Sequence, residues 1–409
     1  MSSMLVGVCY PDIQNLYEDM TSELKELVKA IDDHIDFEMT QNLSSPDKLS
    51  YIGKGKVVEL VEFVNNHTIT TIYFNEELSS QQYLYLKEQL NCTILDRTAI
   101  ILHIFEQRAH TKEAILQVRM AKIKYELPRL IGSHDHLIGQ QGGSGFRGSG
   151  ETKLESDRRL LYSELHRIEK ELKAIVGKRK IQRDKRNKSD LPIVCLVGYT
   201  NSGKSTLMNA LVKEKKVFEK DMLFATLQTS TRLVETDDHL PFLLTDTVGF
   251  INYLPHQLVQ AFRSTLEEIK EADLLLHVDD ASNPNYDQQI QTTLEVLEEI
   301  GVKDIPMLYL YNKVDLGGYA FIKAQNPNLF ISAKKNTGIN QLKKYICKTL
   351  FAHTIRCDLF IPYEKGEDFK KISRCGELIN VIYGEFGISL SIEILPSYTK
   401  MVEPYILYH

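Results

Sequence analysis

The run Gly198-Tyr-Thr-Asn-Ser-Gly-Lys-Ser205 constrains the chain more than any other stretch, because it follows the apolar segment Ile193–Val197 and opens onto Thr206-Leu-Met-Asn-Ala-Leu-Val212. Strand, glycine-rich loop and helix in that order form a phosphate cradle. Phosphate oxygens need backbone N–H donors at close range, which glycine permits, plus one cation and one hydroxyl that holds Mg2+. Lys204 supplies the cation and Ser205 the hydroxyl. Gly198, Tyr199, Thr200, Asn201, Ser202, Gly203, Lys204, Ser205 and Thr206 are therefore expected to bind a nucleoside triphosphate.

At 409 residues, 43% apolar and 25% charged, the chain exceeds one core, and two or three domains are expected. The six cysteines form no Cys-x-x-Cys pair, which points away from zinc or a disulfide framework and towards a reducing compartment. No apolar run approaches the ~20 residues that cross a bilayer. A soluble, cytoplasmic monomer without stable membrane insertion is the expectation. The net charge of −6 hides an uneven distribution: Glu151–Lys188 carries 13 Lys/Arg against 7 Asp/Glu. Such a run is either a solvated helix end or a contact for a polyanion.

Beyond the phosphate loop, Arg232–Thr236 and Pro241–Thr245 read as strands, and the second runs into Asp246-Thr-Val-Gly249. An Asp at a strand end followed by Gly places a carboxylate near Mg2+ and a backbone N–H near the γ-phosphate. Ala272–Ala281 reads as a buried strand, Tyr286–Ile300 as a helix, and Pro306–Tyr311 as a strand entering Asn312-Lys313-Val314-Asp315. The Asp315 carboxylate can accept both N1–H and N2–H2 of guanine, a donor pair that adenine lacks. Asn312 and Lys313 brace and cover the base, and Ser332-Ala333-Lys334 ends one more strand, with the Ala333 N–H directed to the guanine O6. GTP and GDP are the nucleotides these residues select.

The arrangement resembles GTPases related to the translation factors. Lys204, Thr226 and Gly249 are the candidate catalytic residues, and Ser205, Thr226 and Asp246 the candidate Mg2+ ligands. Thr226 is the switch threonine on this reading, although Thr229 and Thr231 lie close by. Ras-type enzymes carry a water-orienting Gln directly after Asp-x-x-Gly. Here that position is Phe250, an apolar anchor, so hydrolysis by the free protein should be slow. Asn201 stands where some potassium-stimulated GTPases place Asn, which makes K+ a further candidate cofactor.

Residues 1–110 read as a small α/β domain with a largely parallel sheet. Its strand candidates are Leu5–Tyr10, Ile69–Phe74 and Cys92–Leu95, and its helix candidates Glu18–Ile31, Gly55–Val64, Ser79–Leu90 and Thr98–Gln107. Tyr51-Ile-Gly-Lys-Gly-Lys56 is either a turn or a second ligand loop. Apolar steps of four and three through Leu116, Met120, Ile123, Leu127 and Leu130 return at Leu161, Leu165, Ile168, Leu172 and Ile175, which predicts an antiparallel helical hairpin over 111–188. Pro128 is expected to end or bend its first helix. Five glycines in the nine residues Gly142–Gly150 surround Phe146 and Arg147. This stretch is either a flexible linker or an RNA contact made by Gly142, Gly143, Gly145, Phe146, Arg147, Gly148 and Gly150.

Gln117-Val-Arg-Met-Ala-Lys-Ile-Lys-Tyr-Glu-Leu-Pro-Arg-Leu130, Asp96-Arg97-Thr98, the glycine loop running into Glu151-Thr-Lys-Leu-Glu155 and the guanine motifs together resemble the HflX family of ribosome-associated GTPases. The resemblance spans most of the chain. It implies binding to the large ribosomal subunit and its RNA, with the glycine loop near the peptidyl-transferase region, and splitting or rescue of stalled or idle ribosomes. It also implies hydrolysis stimulated by ribosomes and, in some members, ATP bound by the amino-terminal region. The expected fold is α/β: a P-loop GTPase domain at 189–352, preceded by the small α/β domain with its hairpin, and followed at 353–409 by a small α+β appendage. In the appendage Cys357–Ile361 reads as a strand, Glu367–Leu378 as a helix and Gly387–Leu395 as an alternating strand. Two other readings remain: a GTP-gated regulatory scaffold for a protein or membrane complex, and an ATP-dependent RNA remodelling factor working through the amino-terminal domain.

Overall fold

The computed structural model describes residues 2–11, 14–140, 150–186, 191–212, 230–235, 241–251, 266–317, 321–352, 354–373 and 375–407. Described residues up to Lys178 form one compact unit, and those from Arg179 onward form a second.

In the first unit, β1 (Ser2–Cys9), β2 (Phe37–Asn42), β3 (Ile69–Phe74) and β4 (Thr93–Asp96) build one sheet in the order β2-β1-β3-β4, with every pair parallel. Helices α1 (Gln14–Lys29), α2 (Lys54–His67), α3 (Ser80–Gln89) and α4 (Arg97–Arg108) alternate with them. Parallel strands require such crossovers, and a strand covered on both faces is mostly apolar, as β1 is: it is buried from Ser3 to Val8 and carries no polar side chain from Met4 to Val8. β2 was not expected. It is an edge strand whose Phe-Glu-Met-Thr-Gln-Asn alternates half-buried and exposed residues, so only Phe37 and Met39 carry an apolar signal.

Helices α5 (Lys112–Gln140) and α6 (Gly150–Arg186) follow, and they run antiparallel. Arg119 Nε and one terminal nitrogen each donate to Glu164 at 2.9 Å, and Lys112 pairs with Glu171 at 3.0 Å. Leu165 and Ile168 are buried on the expected seam. Pro128, expected to end or bend α5, does not end it; the helix continues through it to Gln140. Tertiary contacts on either side of the proline offset the main-chain bond it removes. Tyr125 donates its hydroxyl to Asp96 Oδ1 at 2.6 Å, and Arg129 donates to Asp96 Oδ2 at 2.5 Å. Asp96 also caps α4 through the Ala99 N–H and accepts the Leu78 N–H.

The second unit holds a six-stranded sheet in the order β10-β9-β8-β5-β7-β6, formed by β5 (Ile193–Val197), β6 (Ser230–Val234), β7 (Phe242–Asp246), β8 (Leu274–Asp280), β9 (Met307–Asn312) and β10 (Asn328–Phe330). All pairs are parallel except β6 with β7. Helix α7 (Lys204–Leu211) packs Leu207 and Leu211 onto Leu196, Leu244 and Leu276 of one sheet face. Burying each such side chain contributes about 1.5–3 kcal/mol. Helices α8 (Tyr286–Glu299) and α9 (Ile339–Leu350) belong to the same unit. The expected strands and helix here all form, within one or two residues of their bounds.

A separate antiparallel sheet, β11-β13-β12, closes the chain with β11 (Ile355–Pro362), β12 (Gly376–Tyr383) and β13 (Gly387–Ile394). The expected helix Glu367–Leu378 is corrected: the helix is Gly366–Ile372, and Gly376 already begins β12. Pairing with β13 overrides the helical spacing. A Cβ at Gly376 would lie 2.3 Å from the Glu393 carbonyl oxygen, so glycine is required where the strands meet.

Asp96 is buried and accepts four hydrogen bonds. Asp96→Ala should destabilise the first unit by about 3–5 kcal/mol, because it strands Arg129 without its buried partner. Hydrogen exchange of α4 and α5 amides in the full chain measures this, and protection unchanged from the wild type would contradict it.

Candidate functional site

The carboxyl ends of β5, β7, β8 and β9 lie side by side, and the loops that leave them meet. β5 enters the phosphate loop at Gly198, with φ +141°, where an added Cβ would stand 2.2 Å from the Val278 carbonyl oxygen. Gly203 has φ +95°, and its Cβ would lie 2.3 Å from Asn312 Nδ2. Both glycines are thus demanded by conformation and by contact. Lys204 is buried and donates to the Gly198 and Tyr199 carbonyls at 3.0 and 2.6 Å. Burial pulls its ammonium down to about 8, while the carboxylates of Asp246 and Asp279 act in the opposite direction. The hydroxyls of Thr200 and Ser202 are buried and have no hydrogen-bond partner among the described residues. Unpaired buried hydroxyls cost about 1–3 kcal/mol each, and a phosphate anion in the loop would satisfy them.

Ser205 donates its hydroxyl to Asp246 Oδ2 at 2.9 Å. Two hard oxygen donors at the mouth of the loop suit Mg2+. Directly after them the chain folds back on the phosphate loop: Thr200 N–H donates to the Phe250 carbonyl at 2.7 Å, and Phe250 N–H to the Gly198 carbonyl at 3.1 Å. The Phe250 side chain is buried, as expected of an apolar anchor. Gly249 passes so near that a Cβ would meet Thr200 Cα at 2.9 Å and Lys204 Nζ at 3.0 Å.

The base-recognition segments are joined to the loop by one side chain. Asn312 Nδ2 donates to the Ser202 carbonyl, and its Oδ1 accepts the Ala333 N–H, both at 2.9 Å. Lys313 pairs with Asp280 at 2.7 Å. Ser332 donates its hydroxyl to Asp315 Oδ1 at 2.6 Å, and this bond holds the exposed Asp315 carboxyl below its ordinary range. The arrangement keeps Asp315 ionised and oriented, ready to accept two base donors.

Thus Gly198, Tyr199, Thr200, Ser202, Gly203, Lys204, Ser205, Asp246, Gly249, Asn312 and Ala333 come together. Asn201 sits in the same loop at φ +59° with its side chain exposed. Thr206 lies half-buried in the first turn of α7. The Lys334 side chain is exposed and acts on Asp315 through its charge. Thr226 and the glycine-loop residues Gly142, Gly143, Gly145, Phe146, Arg147 and Gly148 lie outside the described residues, and Gly150 begins α6. Sequence reasoning gave no role to two residues. Buried Thr247 donates to the Leu196 carbonyl at 2.6 Å and ties the switch segment to β5. Asp280 holds Lys313, and its position at the end of a buried strand beside the guanine motif was the available signal.

Two variants test this geometry. Gly203→Ala should push Asn312 off the Ser202 carbonyl and add about 1–3 kcal/mol of backbone strain, weakening nucleotide binding with little effect on the rest of the fold. Equilibrium titration with fluorescent GDP measures it; wild-type affinity would contradict the contact. Asp315→Asn loses two charge-assisted hydrogen bonds of about 1.5–3 kcal/mol each, so GTP affinity should fall roughly a hundredfold or more, with preference moving to xanthosine triphosphate. Competition between the two nucleotides reads this out directly.

Three family models match the chain: "GTP-binding GTPase N-terminal" over 18–106, "GTP-binding GTPase Middle Region" over 108–186 and "50S ribosome-binding GTPase" over 193–313. The GTPase HflX of Caldanaerobacter subterraneus subsp. tengcongensis is 42% identical over 377 residues, covering 92% of this chain and 88% of that protein. The GTPase HflX of Escherichia coli (strain K12) is 39% identical over 334 residues, covering 80% and 78% respectively. Among solved structures, a GTP-binding protein from the hyperthermophilic archaeon Sulfolobus solfataricus in complex with GDP is 25% identical over 85% of this chain and 98% of that one, with a TM-score of 0.44. With a guanine-nucleotide site assembled as above and relatives of this identity along most of its length, the chain is a GTPase and belongs to the HflX family.

Proposed function

We propose that this GTPase associates with the large ribosomal subunit and uses its nucleotide state to split or rescue stalled or idle ribosomes. The observation that carries the reading is Phe250. Its backbone is bonded to the phosphate loop and its side chain is buried, where a Ras-type enzyme has a Gln that orients water. No polar group at that position can direct the attacking water, so turnover depends on a group supplied from elsewhere. A matching family model described as a 50S ribosome-binding GTPase supports the ribosome as the supplier.

Within the site, Lys204 and the backbone N–H groups of the loop hold the phosphates, and Ser205, Asp246 and Thr226 hold Mg2+. When bound, Mg2+ neutralises charge on the β- and γ-phosphate oxygens. Asp315, Asn312, Lys313 and the Ser332–Lys334 segment hold guanine. Asn201 is positioned for a K+ beside the loop, and the residues of Gly142–Gly150 contact ribosomal RNA. The basic residues of α6, dense towards Arg186, give that contact its electrostatic attraction.

GTP turnover should be slow in the free protein and rise by at least about a hundredfold with purified large subunits, as electrostatic and positioning groups supplied in trans do elsewhere. The full chain should also co-sediment with large subunits in a non-hydrolysable GTP analogue, and ribonuclease treatment should abolish this. Turnover that ignores the subunits, together with no co-sedimentation, would refute the proposal. Binding that survives ribonuclease would favour a protein partner instead.

A further inference from the structure

Beneath the phosphate loop the centre of the sheet holds a charge that neither the guanine nor the phosphate chemistry uses. β8 is apolar from Leu274 to Leu276, yet it continues with His277 and Asp279, which are 0% and 1% exposed. Two residues apart on a strand, they share a face, opposite to Leu274, Leu276 and Val278. His277 Nδ1 lies 2.9 Å from the Asp279 carboxylate. Both carboxylate oxygens lie near Nδ1, while His277 Nε2 has no hydrogen-bond partner among the described residues. The residue between them, Val278, is the one whose carbonyl fills the space of a Gly198 Cβ, so the pair lies under the first residue of the phosphate loop. The Asp279 carboxylate acts electrostatically on Lys204.

We propose that Asp279, held by His277, sets the nucleotide affinity of this site: its buried carboxylate favours the empty loop, where it supports the charge of Lys204, and opposes the loaded loop, where nucleotide phosphates claim the same cation. Asp279 is an affinity-setting residue, and His277 acts through it as a positioning residue. Among the described residues, five titratable groups surround the pair. They are Lys204 from the loop, Asp287 from α8, Tyr309 and Tyr311 from β9, and Cys195 on the same face of β5. Of these only Lys204 offers a positive charge. Burial raises the Asp279 carboxyl above its ordinary range, against the opposing effects of His277 and Lys204. Protonation of Asp279 removes the negative charge beneath the loop. Nucleotide binding adds negative charge above it and so favours the proton further; binding takes up protons, and affinity must rise as pH falls through the titration of this group.

The experiment is an equilibrium titration of the full chain with fluorescent GDP and Mg2+ from pH 8 down to the acid limit of the fold, comparing the wild type with Asp279→Asn and His277→Leu. Asp279→Asn should bind about tenfold tighter at pH 8, the scale of one well-screened carboxylate acting on the site. The difference between the two proteins should shrink as pH falls, and taking that difference cancels titration of the nucleotide's own terminal phosphate. A damaged fold weakens binding, so a gain in affinity separates this role from a merely structural one. His277→Leu removes the hydrogen bond that favours the ionised carboxylate and should move the rise in affinity to higher pH. Equal affinity in the wild type and Asp279→Asn at pH 8, or a His277→Leu profile superimposable on the wild type, would overturn the proposal.

Discussion

One planar amide fixes the dimensions of the nucleotide site. Asn312 Nδ2 holds the Ser202 carbonyl of the phosphate loop, and Asn312 Oδ1 holds the Ala333 N–H of the last guanine segment. The distance between the phosphate cradle and the base pocket is thereby set before any nucleotide arrives. Gly203 completes the arrangement, since any side chain there would displace the amide. Donors fixed in advance need no reorganisation when the ligand binds, and this is how binding energy becomes orientation.

A second set of bonds couples the loop to the segment that must respond to the γ-phosphate. The Phe250 carbonyl and N–H grip Thr200 and Gly198, and Thr247 grips Leu196. Backbone groups do this work, so the side chain at 250 is free to be apolar, and it fills space instead of holding water. The same bonds that make Phe250 a good anchor remove it from catalysis. Orienting water therefore falls to a group other than the side chain at 250.

The parts of the molecule legible in the sequence were those where chemistry demands one residue type at a fixed offset from a strand end. Lys204, Asp246, Asn312 and Asp315 are of this kind, and the strands that carry them were read from continuous apolar runs. β2 was illegible because an edge strand with one half-buried face needs only two apolar residues. The start of β12 was read as helix because local spacing there obeys 3.6 as well as 2, and only the partner strand decides. The seam read from apolar spacing accounts for only part of what α5 buries. Ala114, Gln117, Val118 and Ala121 are also buried, since α3 and α4 pack on α5 as well. Pro128 does not end α5, because Asp96 ties the helix on either side of the proline.

His277 and Asp279 show a different kind of illegibility. On β8 they interrupt an apolar strand at positions that are fully buried, where a sequence shaped by stability alone would place aliphatic residues. Two apolar side chains of similar volume would pack under α8 without a desolvation penalty and without orphaned polar atoms. Conflicts of this sort between a local rule and the fold collect at functional sites. Here the conflict lies one strand residue from the Gly198 contact and within electrostatic range of Lys204, the one cation in the loop, so the burial of the pair is intelligible as a property of the nucleotide site and not of the core that surrounds it.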